Sequence, residues 1–99
     1  MRNSKIPIYR LSLAFAKELE WATLPNIHHC TYYKTFRAEE YHLIWPGYRC
    51  TYHATLTPSP RGALLTMERF HGERAVNREI LVVPQFLLER RNFRFHVSA

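Results

Sequence analysis

Aspartate is absent from this chain of 99 residues; all eight acidic side chains are glutamate. Without it, Asp-rich two-metal nuclease centres, EF-hand loops and Ser-His-Asp triads are excluded in their usual form. Glycine occurs three times, too sparsely for a phosphate-cradling glycine loop. Two cysteines make no disulfide framework, and without a signal peptide they point to a reducing cytoplasm. Long apolar runs are also missing. Lys17, Glu18 and Glu20 interrupt the apolar N-terminal stretch, and nothing approaches the roughly 20 residues that span a bilayer. A soluble cytoplasmic protein is expected.

What remains is enough for one modest core. The chain is 46% apolar and 14% aromatic, so a single packed domain over residues 1–99 is expected. The net charge is +6, carried by eleven Arg and three Lys. Arginine offers a planar fork of donors matched to phosphate and carboxylate. Nucleic acid or an acidic protein surface is the partner such a balance favours.

The N-terminal segment "SLAFAKELEWATLP" predicts a helix from Ser12 to Thr23, with Ile8, Leu11, Phe15, Leu19 and Ala22 on one face. Ser12 is its expected cap and Pro25 its stop. Beyond Pro25 the period becomes two. In "YRCTYHATLT", Tyr48, Cys50, Tyr52, Ala54 and Leu56 alternate with Arg49, Thr51, His53, Thr55 and Thr57, the pattern of a half-buried antiparallel strand. "CTYYKTF", "EYHLIW", "ALLTMERF" and "AVNREILVV" read as further strands, with Pro46-Gly47, "TPSPRG" and "HGER" as turns. Pro84 opens a short helix through "QFLLERR", and "NFRFHV" reads as a last strand. The expected fold class is α+β: an N-terminal helix packed on an antiparallel sheet of about five strands, with a short C-terminal helix.

"IHHC" and "CTYH" invite a zinc reading, because Cys50 and His53 have ligand spacing. Yet residues three apart on a strand face opposite ways. The two cysteines therefore read as small buried hydrophobes, and neither metal nor other cofactor is expected. "MERFHGER" gathers Glu68, Arg69, His71, Glu73 and Arg74 around a turn, residue types a metal-independent ribonuclease uses for proton transfer and phosphorane stabilisation. A solvated hairpin tip explains the same residues. "ERRNFRF" places Arg90, Arg91 and Arg94 beside Phe93 and Phe95, suited to phosphates and stacked bases, or equally to a helix end followed by a core strand.

The length, the charge and the proline-bearing "LTPSPRG" segment between strands resemble the anti-RecBCD proteins of temperate phages. That resemblance implies a phage accessory protein acting in the bacterial host cytoplasm. Its partner would be a host nuclease/helicase complex that it inhibits or redirects, with a host prolyl isomerase as second partner and no catalysis of its own. The alternative is direct action on nucleic acid, as a binder or a ribonuclease toxin. Pro58 and Pro60 lack N–H groups and fix φ, so Thr57–Gly62 is expected to stand off the sheet as a stiff arm anchored by Arg61. Pro58, Pro60, Arg61, Arg90, Arg91, Phe93 and Arg94 are the expected partner-binding residues.

Overall fold

The computed structural model describes residues 5–21 and 26–90. The apolar stripe of the N-terminal segment winds into α1 (Lys5–Glu18), which starts earlier than its sequence suggests. Pro7 sits in the first turn, where backbone N–H groups have no intrahelical acceptor, so its missing donor is tolerated. Ser12 is consequently not a cap. It lies mid-helix, fully buried, and its Oγ has no hydrogen-bond partner among the described residues. Past the end of α1 the chain is closed off at Glu20, whose φ of 59° is left-handed. Trp21 N donates to Ala16 O at 2.9 Å and Glu20 N to Lys17 O at 3.2 Å, the paired bonds of a Schellman close. Pro25 and Ala22–Thr23, the end of the predicted helix, lie outside the described residues.

A 3-10 turn (Ile27–His29) precedes β1 (Thr31–Lys34). Cys30 thus lies between turn and strand rather than within a strand. Then come β2 (Tyr41–Gly47), β3 (Cys50–Ser59), β4 (Gly62–His71) and β5 (Arg74–Pro84), followed by α2 (Gln85–Arg90). All neighbours pair antiparallel in the order β1-β2-β3-β4-β5. The architecture is the expected α+β one. Arg91 and the predicted "NFRFHV" strand lie outside the described residues.

The last four strands are joined by two-residue turns: Tyr48-Arg49, Pro60-Arg61 and Gly72-Glu73. The first moves the turn past Pro46-Gly47 and leaves Tyr48 84% exposed instead of buried. Gly47 faces Tyr52 so closely that a Cβ there would overlap its ring and Cys50 Sγ. The second turn overturns the expectation of a projecting arm. Thr57, Pro58 and Ser59 belong to β3, with Pro58 opposite Ala63. The reason is that β2 stops at Tyr41, which pairs with Leu56. Beyond Leu56, β3 is paired on one side only, the edge position at which proline fits a strand. Pro46 follows the same rule, because β1 pairs with β2 only as far as Ile44.

One sheet face carries the core. Leu43, Trp45, Tyr52, Ala54, Leu56, Leu65 and Met67 pack there with Ile8, Leu11, Phe15 and Ala16 of α1 and Leu88 of α2. Trp45 stacks on Tyr52 at 5.3 Å, and Trp21 closes over the same tyrosine at 5.7 Å. Cys50 shares this face with Tyr52 and is half-buried against the core, as the alternation requires. No described helix covers the opposite face with comparable burial.

Candidate functional site

The alternation that buries Tyr52 and Leu56 turns His53 and Thr55 to the outer face, and register decides their company. Because β2 and β3 turn at Tyr48-Arg49, His42 lies opposite Thr55 and His53 opposite Ile44. The two imidazoles are diagonal neighbours at the centre of that face. His42 Nδ1 lies 2.9 Å from His53 Nε2, and Thr55 Oγ1 lies 3.4 Å from each. Tyr33, opposite His42 on β1, stacks on its ring at 4.4 Å with planes 3° apart. His42 is 8% exposed for so polar a group.

Glu40 Oε1 is 3.7 Å from His42 Nε2, close enough for attraction but beyond hydrogen-bond range, so that buried nitrogen has no hydrogen bond. Glu40 is itself held by the β1–β2 loop: Thr35 N donates to Glu40 O at 2.9 Å, and Glu40 N donates to Thr35 Oγ1 at 3.2 Å. Burial pushes the His53 imidazole pKa down, and the neighbouring His42 adds to the shift; Glu68 and Glu40 oppose it. His53 continues into a row across the sheet, opposite Glu68 on β4, which is opposite Arg78 on β5. Arg78 Nε is 3.9 Å from Glu68 Oε2.

A second feature lies at the sheet's margin. β5 is eleven residues long and has β4 on one side and no described strand on the other. Its outer-face side chains Ile80 and Val82 are exposed, as is Val76 at the bulge between the Phe70–Ala75 and Arg69–Asn77 pairs. Beside it, a partly enclosed cavity of about 210 Å³ is lined by Leu11, Phe15, Leu81, Val83 and Leu87. A long edge with apolar flanks is the surface natural sheets normally protect, because its free N–H and C=O groups accept another strand.

The residues expected to bind a partner fall partly around this edge. The pairing of Gly62 with Pro84 puts the exposed Pro60-Arg61 turn at the sheet end where α2 begins. Arg90 is exposed at the end of α2. Pro58 lies within β3, away from any free arm. Arg91, Phe93 and Arg94 lie outside the described residues. The "MERFHGER" grouping is dispersed by strand alternation. Glu68 faces outward with His53, whereas Arg69 turns the other way, where its guanidinium bonds Asn77 Oδ1.

Sequence reasoning missed Tyr33, Glu40, His42 and Thr55, although His42 and His53 both stand on the polar phase of their strands. Placing the turn at Pro46-Gly47 sets Thr51 rather than Thr55 opposite His42, so the histidines stay diagonal neighbours but Thr55 leaves the cluster. Among the described residues no three His, Cys or Glu side chains converge as metal ligands, both cysteines are free, and no helix is long and apolar enough to cross a membrane. Burial raises the Cys30 thiol pKa, with Lys5 opposing. No protein-family model, curated protein or solved structure matches this chain.

Proposed function

We propose that this chain is a binding protein without catalysis of its own. It attaches to a host nucleic-acid-processing enzyme, a RecBCD-like recombination nuclease, and inhibits or redirects it. The edge of β5 that no described strand covers, with exposed Val76, Ile80 and Val82 beside a largely apolar cavity, carries the reading. An added strand gains main-chain hydrogen bonds along the edge and sinks alternate side chains toward the cavity. Arg78 on the same strand and Arg61 and Arg90 at its end favour an acidic partner surface. The Ser59–Pro60 bond, at the exposed turn, is the bond for a prolyl isomerase to engage.

The test is capture from bacterial lysate by immobilised protein, with and without nuclease treatment. A stoichiometric nuclease/helicase partner that survives treatment and is lost in Ile80→Lys/Val82→Lys supports the reading. Capture that vanishes with the nucleic acid contradicts it.

Direct action on RNA is the second reading, favoured by the His53–Glu68–Arg78 row. In it, His53 and Glu68 exchange protons with the 2′-hydroxyl and the leaving 5′-oxygen while Arg78 steadies the phosphorane. Metal-free cleavage of an RNA oligonucleotide to a 2′,3′-cyclic phosphate, abolished by His53→Gln, would support it. Equal cleavage by wild type and variant would remove it.

A further inference from the structure

His42, His53 and Thr55 present three donor atoms to one point. Nδ1 of His42, Nε2 of His53 and Oγ1 of Thr55 form a triangle with sides of 2.9, 3.4 and 3.4 Å. The point equidistant from its corners lies about 1.9 Å from each. A small rise out of that plane gives the roughly 2.0–2.1 Å bonds that imidazole and oxygen ligands make to zinc. The two 3.4 Å sides match the edges of a tetrahedron built on such bonds, while the 2.9 Å side is short, so the two imidazoles must part by roughly 0.4 Å to admit the ion, with the fourth position outward on the open side of the sheet.

We propose that these three side chains form a binding site for a first-row divalent transition-metal ion of the zinc class, seated on the outer face between β2 and β3. The surroundings of His42 fit a ligand as well as the triangle does. A metal-bound imidazole commonly directs its other N–H to a carboxylate, which fixes tautomer and ring orientation. The Glu40 carboxylate stands 3.7 Å from His42 Nε2, and the backbone that carries it is fixed by two hydrogen bonds to Thr35. A carboxylate there favours the tautomer with hydrogen on Nε2, and that tautomer leaves Nδ1 bare toward His53. Tyr33, stacked on the ring, holds it against rotation. A hydrogen-bonded pair of imidazoles accounts for the 2.9 Å separation alone, but not for a buried Nε2 without a hydrogen bond that faces the Glu40 carboxylate at 3.7 Å.

Binding replaces the hydrogen that one imidazole donates to the other. Both rings stay neutral, with hydrogen on His42 Nε2 and on His53 Nδ1, and the metal takes the two bare nitrogens while the Thr55 hydroxyl supplies an oxygen lone pair. The charges facing the pair are Glu40 from the β1–β2 loop, Glu68 from β4 and Arg78 beyond it on β5. The two glutamates offset part of the cation's charge. Because neutral imidazole is the ligand, affinity falls as pH drops below the histidine range.

Chelator-stripped protein is titrated with Zn²⁺ against a chromophoric competitor, and with Co²⁺ to read coordination from its visible absorption. Wild type is expected to take one equivalent, with tetrahedral-type cobalt bands and zinc-dependent shifts of the His42 Nδ1 and His53 Nε2 nitrogen resonances. His53→Gln, at a half-exposed position, is expected to lose saturable binding with its circular dichroism unchanged. Glu40→Gln is expected to weaken affinity at least about tenfold, and Thr55→Val to weaken it while shifting the cobalt spectrum. No saturable uptake by folded wild type overturns the proposal. So does an equivalent of zinc retained by folded His53→Gln.

Discussion

At the scale of single residues, the outcome at each position depends on which sheet face it occupies. Leu56 is fully buried in the core, and Leu56→Ala should cost about 2–5 kcal/mol in chemical denaturation. Ser12 gives the opposite expectation. Its buried hydroxyl has no partner, and alanine has the better helix propensity, so Ser12→Ala should be neutral or stabilising by up to about 1 kcal/mol. A large loss of stability would mean that a buried acceptor holds the hydroxyl.

His53 links this scale to pH. Its folded-state pKa is lowered, by burial first, so the unfolded chain binds the proton more readily. The associated stability is complete above the ordinary histidine pKa of about 6.5 and is lost as pH falls through the lower folded value. Denaturation midpoints of metal-free protein should therefore drop on acidification from neutral pH toward 5, and His53→Gln should flatten that drop. An equal slope in wild type and variant would assign the acid sensitivity elsewhere.

The elements were legible in the sequence to different depths. Alternation identified β3 because every second residue from Cys50 to Leu56 packs on the core face and the intervening ones do not. α1 was found by its stripe but misplaced. Ser12 looks like a cap only when Pro7 is assumed to lie outside the helix, and the Glu20 close depends on a backbone conformation that glutamate rarely takes. The prolines misled in the other direction. Pro46 and Pro58 signal turns locally, yet both fit strands because β1 and β2 end before reaching them. That staggering is a property of the sheet and is not written in either segment. The turn position hid the composition of the candidate site, since only the observed β2–β3 register puts Thr55 opposite His42.

A further prediction belongs to the elements. Pro58→Ala/Pro60→Ala should leave the β3–β4 hairpin intact, because eight other residue pairs keep its register. If Ser59–Pro60 is the isomerase contact, the pair of substitutions should abolish isomerase co-purification while nuclease capture through β5 persists. Loss of both from a folded variant would place the nuclease contact on the hairpin instead.

For the molecule as a whole, the division of labour between faces and edge is the main physical result. The core face supplies stability, the outer face gathers the polar cluster, and the β5 margin, which no described strand covers, is the edge proposed for another chain. Net charge of +6 speeds encounter with an acidic partner but does not by itself give affinity. The most direct measurement is size-exclusion chromatography of a purified RecBCD-type helicase–nuclease with this protein, paired with an assay of its DNA degradation. Wild type should co-elute stoichiometrically and alter degradation, while folded Ile80→Lys/Val82→Lys should do neither. Wild type that elutes apart at micromolar concentrations and leaves degradation unchanged, or a variant that still does both, would contradict the account.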